Sequence, residues 1–63
     1  MAPKVRDIIK RLEDEGWALG RQKGSHRQFT HPQKPGVVTI AGKPSATPPP
    51  KTWESIQKQA GWK

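Results

Sequence analysis

The sequence contains no cysteine among its 63 residues. No disulfide can therefore stabilise the fold, and no cysteine-based zinc site can form. The chain also lacks an apolar run approaching the roughly 20 residues of a membrane span, and its first residues lack the apolar core of a signal peptide. We therefore expect a soluble, cytoplasmic protein with no membrane partner. A chain this short buries only about 60% of its unfolded surface, so we expect a single domain over residues 1–63.

Acidic residues are scarce in most of the chain. Residues 1–16 carry four basic and four acidic side chains, which cancel. Residues 17–63 carry eight basic side chains against the single carboxylate of Glu54, so the whole formal net charge of +7 arises there. So localised an excess predicts a polyanionic partner, either nucleic acid or an acidic protein. A basic surface without a specific partner is the remaining interpretation.

Two segments show the spacing of amphipathic helices. The first helix is expected over residues 4–15, with Pro3 in its first turn and Gly16 just past its end. The second is expected in "KTWESIQKQAG", with Thr52 as its N-terminal cap and Gly61 ending it. Their apolar faces consist of Val5, Ile8, Ile9 and Leu12 in the first helix, and of Trp53, Ile56 and Ala60 in the second.

Alternating side chains after the first helix predict a β-hairpin. Its first strand starts at Trp17, with Trp17 and Leu19 pointing inward, and ends at a Lys-Gly turn over residues 23–24. The second strand is expected over roughly residues 25–31, with Phe29 pointing inward. The same alternation places the neighbouring polar side chains on the opposite, solvated face: His26, Gln28 and Thr30.

Prolines and glycines divide the rest of the chain. Residues 31–36, "HPQKPG", are expected to form a loop, because two prolines and a glycine oppose a continuing strand. Residues 37–41, "VVTIA", predict a third strand with Val38 and Ile40 on one face. Residues 42–50, "GKPSATPPP", predict an extended surface connection.

The order of elements predicts an α+β fold in which two helices cover one face of a three-stranded antiparallel sheet. Trp62 lies beyond the second helix, and it either folds back or stays exposed. The expected core consists of Val5, Ile8, Ile9, Leu12, Trp17, Leu19, Phe29, Val38, Ile40, Trp53, Ile56 and Ala60.

The stretch "GRQKGSHRQF" at residues 20–29 is the candidate site. His26 has the chemistry of a general base for the ribose 2′-hydroxyl of RNA. Lys23 and Arg27 flank it and could hold a phosphate, with Arg21 as a more distant helper. Backbone N–H groups of the turn could also point at the phosphate, and Gly24 would let the backbone come close. From composition alone, however, a solvated strand histidine is the simpler interpretation. The predicted phosphate-binding residues are Arg21, Lys23, Gly24, Ser25 and Arg27.

Other catalytic or metal sites find little support in the sequence. There is no HExxH pattern, and the five-residue separation of His26 and His31 would point them to opposite faces of a strand. Ser25 beside His26 is no catalytic triad, because no carboxylate lies nearby in the sequence. His31 before a proline is typical of a turn. We therefore expect no metal ion and no cofactor.

Four segments carry a resemblance to a known family: "EDEGW", "RQKGSHRQFTHP", "VVTIAGKP" and "TWESIQKQAG". Together they resemble the HicA-type mRNA interferase toxins of HicA/HicB toxin–antitoxin systems. The resemblance implies a fold similar to a double-stranded-RNA-binding domain, with α-β-β-β-α order. It also implies ribosome-independent endonucleolytic cleavage of RNA without a metal ion. The family's catalytic histidine lies in its Gly-Ser-His motif, which corresponds to His26.

The resemblance further implies partners. A HicB-type antitoxin would cover His26 and neutralise the toxin, and operator DNA would be bound only through the antitoxin complex. The substrate would be single-stranded mRNA. Two other classes remain open at this point: a non-catalytic RNA-binding module of the same fold, and an adaptor whose basic face binds only an acidic protein. The proton donor for the leaving oxygen also remains open, with His31, Lys23 and water as candidates.

Overall fold

A helix, three strands and a second helix follow one another in the computed structural model, which describes residues 2–63. The strands pair in the order β1-β2-β3, and both pairs are antiparallel. This confirms the predicted α+β class and is consistent with a fold like that of a double-stranded-RNA-binding domain. The elements are α1 (Val5–Asp14), β1 (Ala18–Lys23), β2 (His26–His31), β3 (Lys34–Ile40) and α2 (Pro50–Ala60).

One apolar core joins both helices to one face of the sheet. Because Phe29 and Val38 are opposite each other across β2 and β3, they point to the same face. All nine of the buried apolar residues were predicted for the core, whereas Ile9 and Trp53 are only partly buried and Leu19 is exposed. The nine are Val5, Ile8, Leu12, Trp17, Phe29, Val38, Ile40, Ile56 and Ala60.

The proline-rich connection completes the first helix. No side chain caps α1. Instead, the N–H of Val5 donates to the carbonyl of Ala46 at 2.8 Å, and that of Arg6 donates to the carbonyl of Pro44 at 3.0 Å. These bonds satisfy donors that the first turn of a helix leaves without partners. Pro48 of the same segment is buried, so the connection is held against the fold at more than one point.

The second helix begins earlier than the sequence suggested. The prediction that Thr52 caps it is wrong: the cap position is Pro49, and the first helical residue is Pro50. Proline suits this position because its fixed φ matches the helix and its missing N–H needs no partner. The end was predicted correctly, since Gly61 adopts the left-handed conformation with φ of 79°.

A bulge interrupts the first strand. Leu19 is opposite Phe29, but the next pair joins Arg21 to Gln28, so Gly20 is an extra residue on β1. The prediction that Leu19 belongs to the core is wrong, because its side chain is 47% exposed. Leu19 lies on the edge strand β1, whereas α2 packs against β3 at the other edge of the sheet.

The second hairpin is tighter than expected. The prediction of a loop over residues 31–36 is wrong, because His31 pairs with Lys34 and β3 already begins there. Pro35 is tolerated in β3 because this is an edge strand, where a missing N–H need not break the sheet. The register between β2 and β3 shifts on passing from Phe29 to His31.

Candidate functional site

The sheet has an open face, the one turned away from the core. Cross-strand partners in an antiparallel sheet share a face. His26 is paired with Lys23, and Gln28 is paired with Arg21 on one side and with Thr39 on the other. Since Phe29 is buried, its neighbour Gln28 and these partners point to the open face. We call the side chains of Arg21, Lys23, His26, Gln28 and Thr39 the open-face set.

The bulge in β1 decides which cations join this set. With strict alternation, Arg21 would share the face of Leu19 and Phe29. The extra residue Gly20 shifts the register by one, so that Arg21 pairs with Gln28 instead. Two positively charged side chains, Arg21 and Lys23, thereby lie on the same face as the histidine.

A two-residue turn places Lys23 directly opposite His26. Gly24 takes a φ of 59°, and Ser25 does not have a positive φ, which is the pattern of a type II′ hairpin turn. The Gln22 amide donates to the carbonyl of Gly24 at 3.2 Å and braces the turn. A Cβ at Gly24 would meet no atom within 4 Å, so a substrate can approach the backbone there.

A concavity beside this turn gathers most of the predicted site. Five of the six predicted site residues line it, and Gln28 lines it as well. No sequence motif singled out Gln28, although strand alternation already placed it on the same face as His26. The predicted residues in the concavity are Arg21, Lys23, Gly24, Ser25 and His26.

Arg27 lies elsewhere. Neighbouring residues of a strand point to opposite faces, and Arg27 accordingly faces the side of Ile40, its partner on β3. Its guanidinium is partly buried and donates from Nη1 to the carbonyl of Gly42 at 3.1 Å. The structure therefore does not bring Arg27 together with His26 in the concavity.

His31 is engaged in the fold. Its Nδ1 accepts from the backbone N–H of Gln33 at 3.0 Å. Its Nε2 must then carry the proton, which it donates to the carbonyl of Glu15 at 2.9 Å. The ring also packs edge-on against Trp17, with ring centres 5.3 Å apart. His31 thus holds β2 against the chain that follows α1 through Nε2, and it braces the turn between β2 and β3 through Nδ1.

The charges of the molecule are segregated. The sequence has no acidic residue between Glu15 and Glu54, so the sheet contributes only cations. The ion pairs within residues 2–63 are both helical, Arg11–Glu15 at 3.2 Å and Lys58–Glu54 at 3.4 Å, and neither involves the hairpin. The open-face set is therefore positively charged, and no carboxylate of the sheet neutralises it.

The carboxylate of Glu15 binds Trp62 and Arg11 rather than the hairpin. The pKa of Glu15 is lowered from 4.5, first by the hydrogen bond from the Trp62 indole at 2.7 Å and also by the charge of Arg11. The Arg11 guanidinium lies 3.9 Å from the centre of the Trp62 ring. Trp62 therefore folds back onto the end of α1.

Two further findings concern residues 2–63 as a whole. No cluster of three or more histidine, cysteine or acidic side chains among them is arranged to hold a metal ion. Neither helix in this part of the chain has the length and apolar character needed to cross a membrane.

Residues 5–62 match the family model described as "HicA toxin of bacterial toxin-antitoxin". This match covers nearly the whole sequence and confirms the resemblance noted from the hairpin motif. No curated protein matches the chain significantly.

Proposed function

The chain belongs to the HicA toxin family of bacterial toxin–antitoxin systems, and we propose that it is an endoribonuclease that cleaves mRNA with His26 as general base. Family membership makes the protein the toxin of such a system and implies a cognate antitoxin. The observation that carries the nuclease proposal is the pairing of His26 with Lys23 on the open face. Arg21 lies on the same face, two residues before Lys23 on β1. A proton acceptor and two cations share one solvent-facing surface.

The proposed reaction uses the RNA's own 2′-hydroxyl. His26 takes the 2′-hydroxyl proton while the oxygen attacks the adjacent phosphorus, and the bond from phosphorus to the 5′-oxygen breaks. The products are a 2′,3′-cyclic phosphate and a 5′-hydroxyl. Imidazole suits this step because it exchanges protons near neutral pH. No metal ion takes part in the proposed reaction.

Positive charge would stabilise the transition state. We assign phosphate binding to Arg21 and Lys23 and to the backbone of the Gly24–Ser25 turn. Arg27 is assigned a supporting role, since its guanidinium bonds to the carbonyl of Gly42 on the other face of the sheet.

The proton for the leaving 5′-oxygen must come from a second group. His31 is a poor candidate, because both of its nitrogens are hydrogen-bonded and it is five residues from His26 on the same strand. We infer that Lys23, directly opposite His26, or a water molecule supplies this proton.

The antitoxin is proposed to cover the open face. A HicB-type protein with acidic side chains would complement Arg21 and Lys23 and shield His26 from RNA. Operator DNA would be contacted only by the antitoxin part of the complex. The substrate, single-stranded mRNA, places the toxin's action in the cytoplasm.

The proposal is tested by incubating the purified protein with end-labelled single-stranded RNA in EDTA. We expect defined fragments from the wild type and a loss of about 10²–10⁴-fold in His26→Ala. Gln33→Ala, in the turn between β2 and β3, is the control and should cleave like the wild type. Wild-type cleavage by His26→Ala would exclude the general-base role. RNA binding without fragments from any variant would instead favour a non-catalytic RNA-binding module.

A further inference from the structure

Gln28 occupies the centre of the open face. It lies on the middle strand, between Arg21 on β1 and Thr39 on β3. It is exposed and lines the same concavity as His26. Two residues along a strand, the two side chains start about 7 Å apart and point the same way. A nucleotide held at His26 would therefore lie within reach of the Gln28 carboxamide.

The carboxamide of Gln28 has no structural task. Within residues 2–63 it makes no hydrogen bond to the protein. Two other glutamines differ, because Gln22 braces the hairpin turn and Gln59 accepts from the backbone N–H of Thr39 at 3.1 Å. Gln28 thus offers one acceptor and two donor hydrogens to a ligand.

Stacking on tryptophan or phenylalanine is not available on this face. Proteins that bind single strands commonly stack bases on aromatic side chains. The four tryptophan and phenylalanine rings of residues 2–63 lie elsewhere: two are buried in the core, and the other two pack against it and lie beside each other. Stacking on the His26 imidazole or the Arg21 guanidinium would be sequence-tolerant, so discrimination between bases on the open face must come from hydrogen bonds. The buried rings are Trp17 and Phe29, and the others are Trp53 and Trp62.

We propose that Gln28 is a specificity-determining residue that hydrogen-bonds the edge of the base beside the phosphate held at His26, and that it favours adenine. The carboxamide oxygen accepts from the adenine N6 amino group while the amide nitrogen donates to N7, the bidentate pairing that glutamine makes with adenine. Single-stranded RNA exposes these edges. The inference rests on the proposed function in that RNA is the ligand of this face.

The layout of charges fits such a division of tasks. Lys23 and the turn lie at one end of the concavity, and Gln28 lies farther from the turn along β2. Phosphates would be held by Lys23 and the turn at one end and by Arg21 opposite Gln28, and such contacts carry no sequence information. The neutral carboxamide would then meet the attached base, where hydrogen-bond geometry distinguishes one base from another.

The first test maps cleavage on a set of single-stranded RNAs that differ only in the base beside one cleavage position. Gln28→Leu removes the hydrogen bonds with little change in size, and Gln33→Leu is the matched exposed control. We expect the wild type and the control to prefer adenine by about tenfold. We expect Gln28→Leu to cleave all four RNAs within about twofold of one another. An unchanged preference in Gln28→Leu, or a wild type without preference, overturns the proposal.

The second test measures equilibrium binding of the same RNAs to His26→Ala, in which cleavage is not required. Adding Gln28→Leu should remove the adenine preference, whereas adding Gln33→Leu should leave it intact. If the wild type does not cleave RNA, a Gln28-dependent preference in binding would support base recognition and reject the nuclease proposal. Equal binding of all four RNAs by His26→Ala with Gln28 intact would reject the base-recognition proposal, whatever the wild type cleaves.

Discussion

The two histidines of this protein lie five residues apart on β2 and face opposite sides of the sheet. His31 is partly buried, and both of its nitrogens are hydrogen-bonded to backbone groups. His26 is exposed and is paired across the hairpin with Lys23. The difference shows that the helical side of β2 uses one histidine to hold neighbouring backbone segments, whereas the open face leaves the other histidine exposed.

The largest effect expected from this contrast is on activity. His26→Ala should lower RNA cleavage by about 10²–10⁴-fold. Its stability should stay within about 0.5 kcal/mol of the wild type, because the side chain is exposed and makes no hydrogen bond within residues 2–63. Cleavage rates and denaturant midpoints of the same preparation measure both. If the variant lost activity only because it unfolds, His26 would be structural like His31, and its assignment as general base would lose support.

The converse substitution should act on stability. His31→Ala loses two hydrogen bonds and the edge contact with Trp17. We expect a loss of about 2 kcal/mol in the free energy of unfolding. Urea denaturation measures this loss, and the cleavage rate per folded molecule should change little. If His31→Ala is as stable as the wild type yet inactive, the roles of the two histidines are misassigned.

Charge on the open face should control RNA affinity. If about four phosphates are neutralised, the logarithm of the binding constant should fall with the logarithm of salt concentration at a slope near −3. Lys23→Ala should make the slope shallower by about 0.7. Lys51→Ala, an exposed lysine of α2, is the matched control and should leave it unchanged. Equal slopes for the two variants would mean that the hairpin is not the RNA-binding surface.

The smallest expected effect is on the pH dependence of folding stability, and it comes from Glu15 at the end of α1. Because the folded-state pKa of Glu15 is lowered, its carboxylate stabilises the fold fully above a pH of about 4.5. This stabilisation is lost as the pH falls below that value. Trp62→Phe keeps an aromatic ring beside Arg11 but removes the hydrogen bond to Glu15. Its stability should therefore depend less steeply on pH below 4.5 than that of the wild type. Parallel pH profiles from thermal unfolding would contradict this.

Much of the fold follows from local pattern. The spacing of Val5, Ile8 and Leu12 predicted α1 within one residue at each end, and the glycines at 16 and 61 marked where the helices stop. These features depend on residues close together in the sequence, so they can be predicted from the sequence alone.

The errors within the sheet arose where pairing between strands decides the structure. The bulge at Gly20 depends on the register with β2: a glycine inside a strand permits a bulge, but the pairing decides whether one forms. Likewise, Pro35 lies within β3 because an edge strand tolerates a proline, and edge position is a property of the finished sheet.

The candidate site was only partly predictable for the same reason. His26 and the turn before it were found through the Gly-Ser-His motif. Arg21 joins them on the open face because of the bulge, whereas Arg27 points to the other face although it adjoins His26 in the sequence. Strand alternation alone places Gln28 on the face of His26, but neither charge nor a motif marks this neutral side chain as a ligand-binding residue.

The most direct test of proton transfer by His26 is rescue of His26→Ala by free imidazole, with labelled single-stranded RNA in EDTA. We predict that the variant is nearly inactive, and that added imidazole restores cleavage at the wild-type positions with 2′,3′-cyclic phosphate ends. Wild-type cleavage by the variant without imidazole would exclude proton transfer by His26.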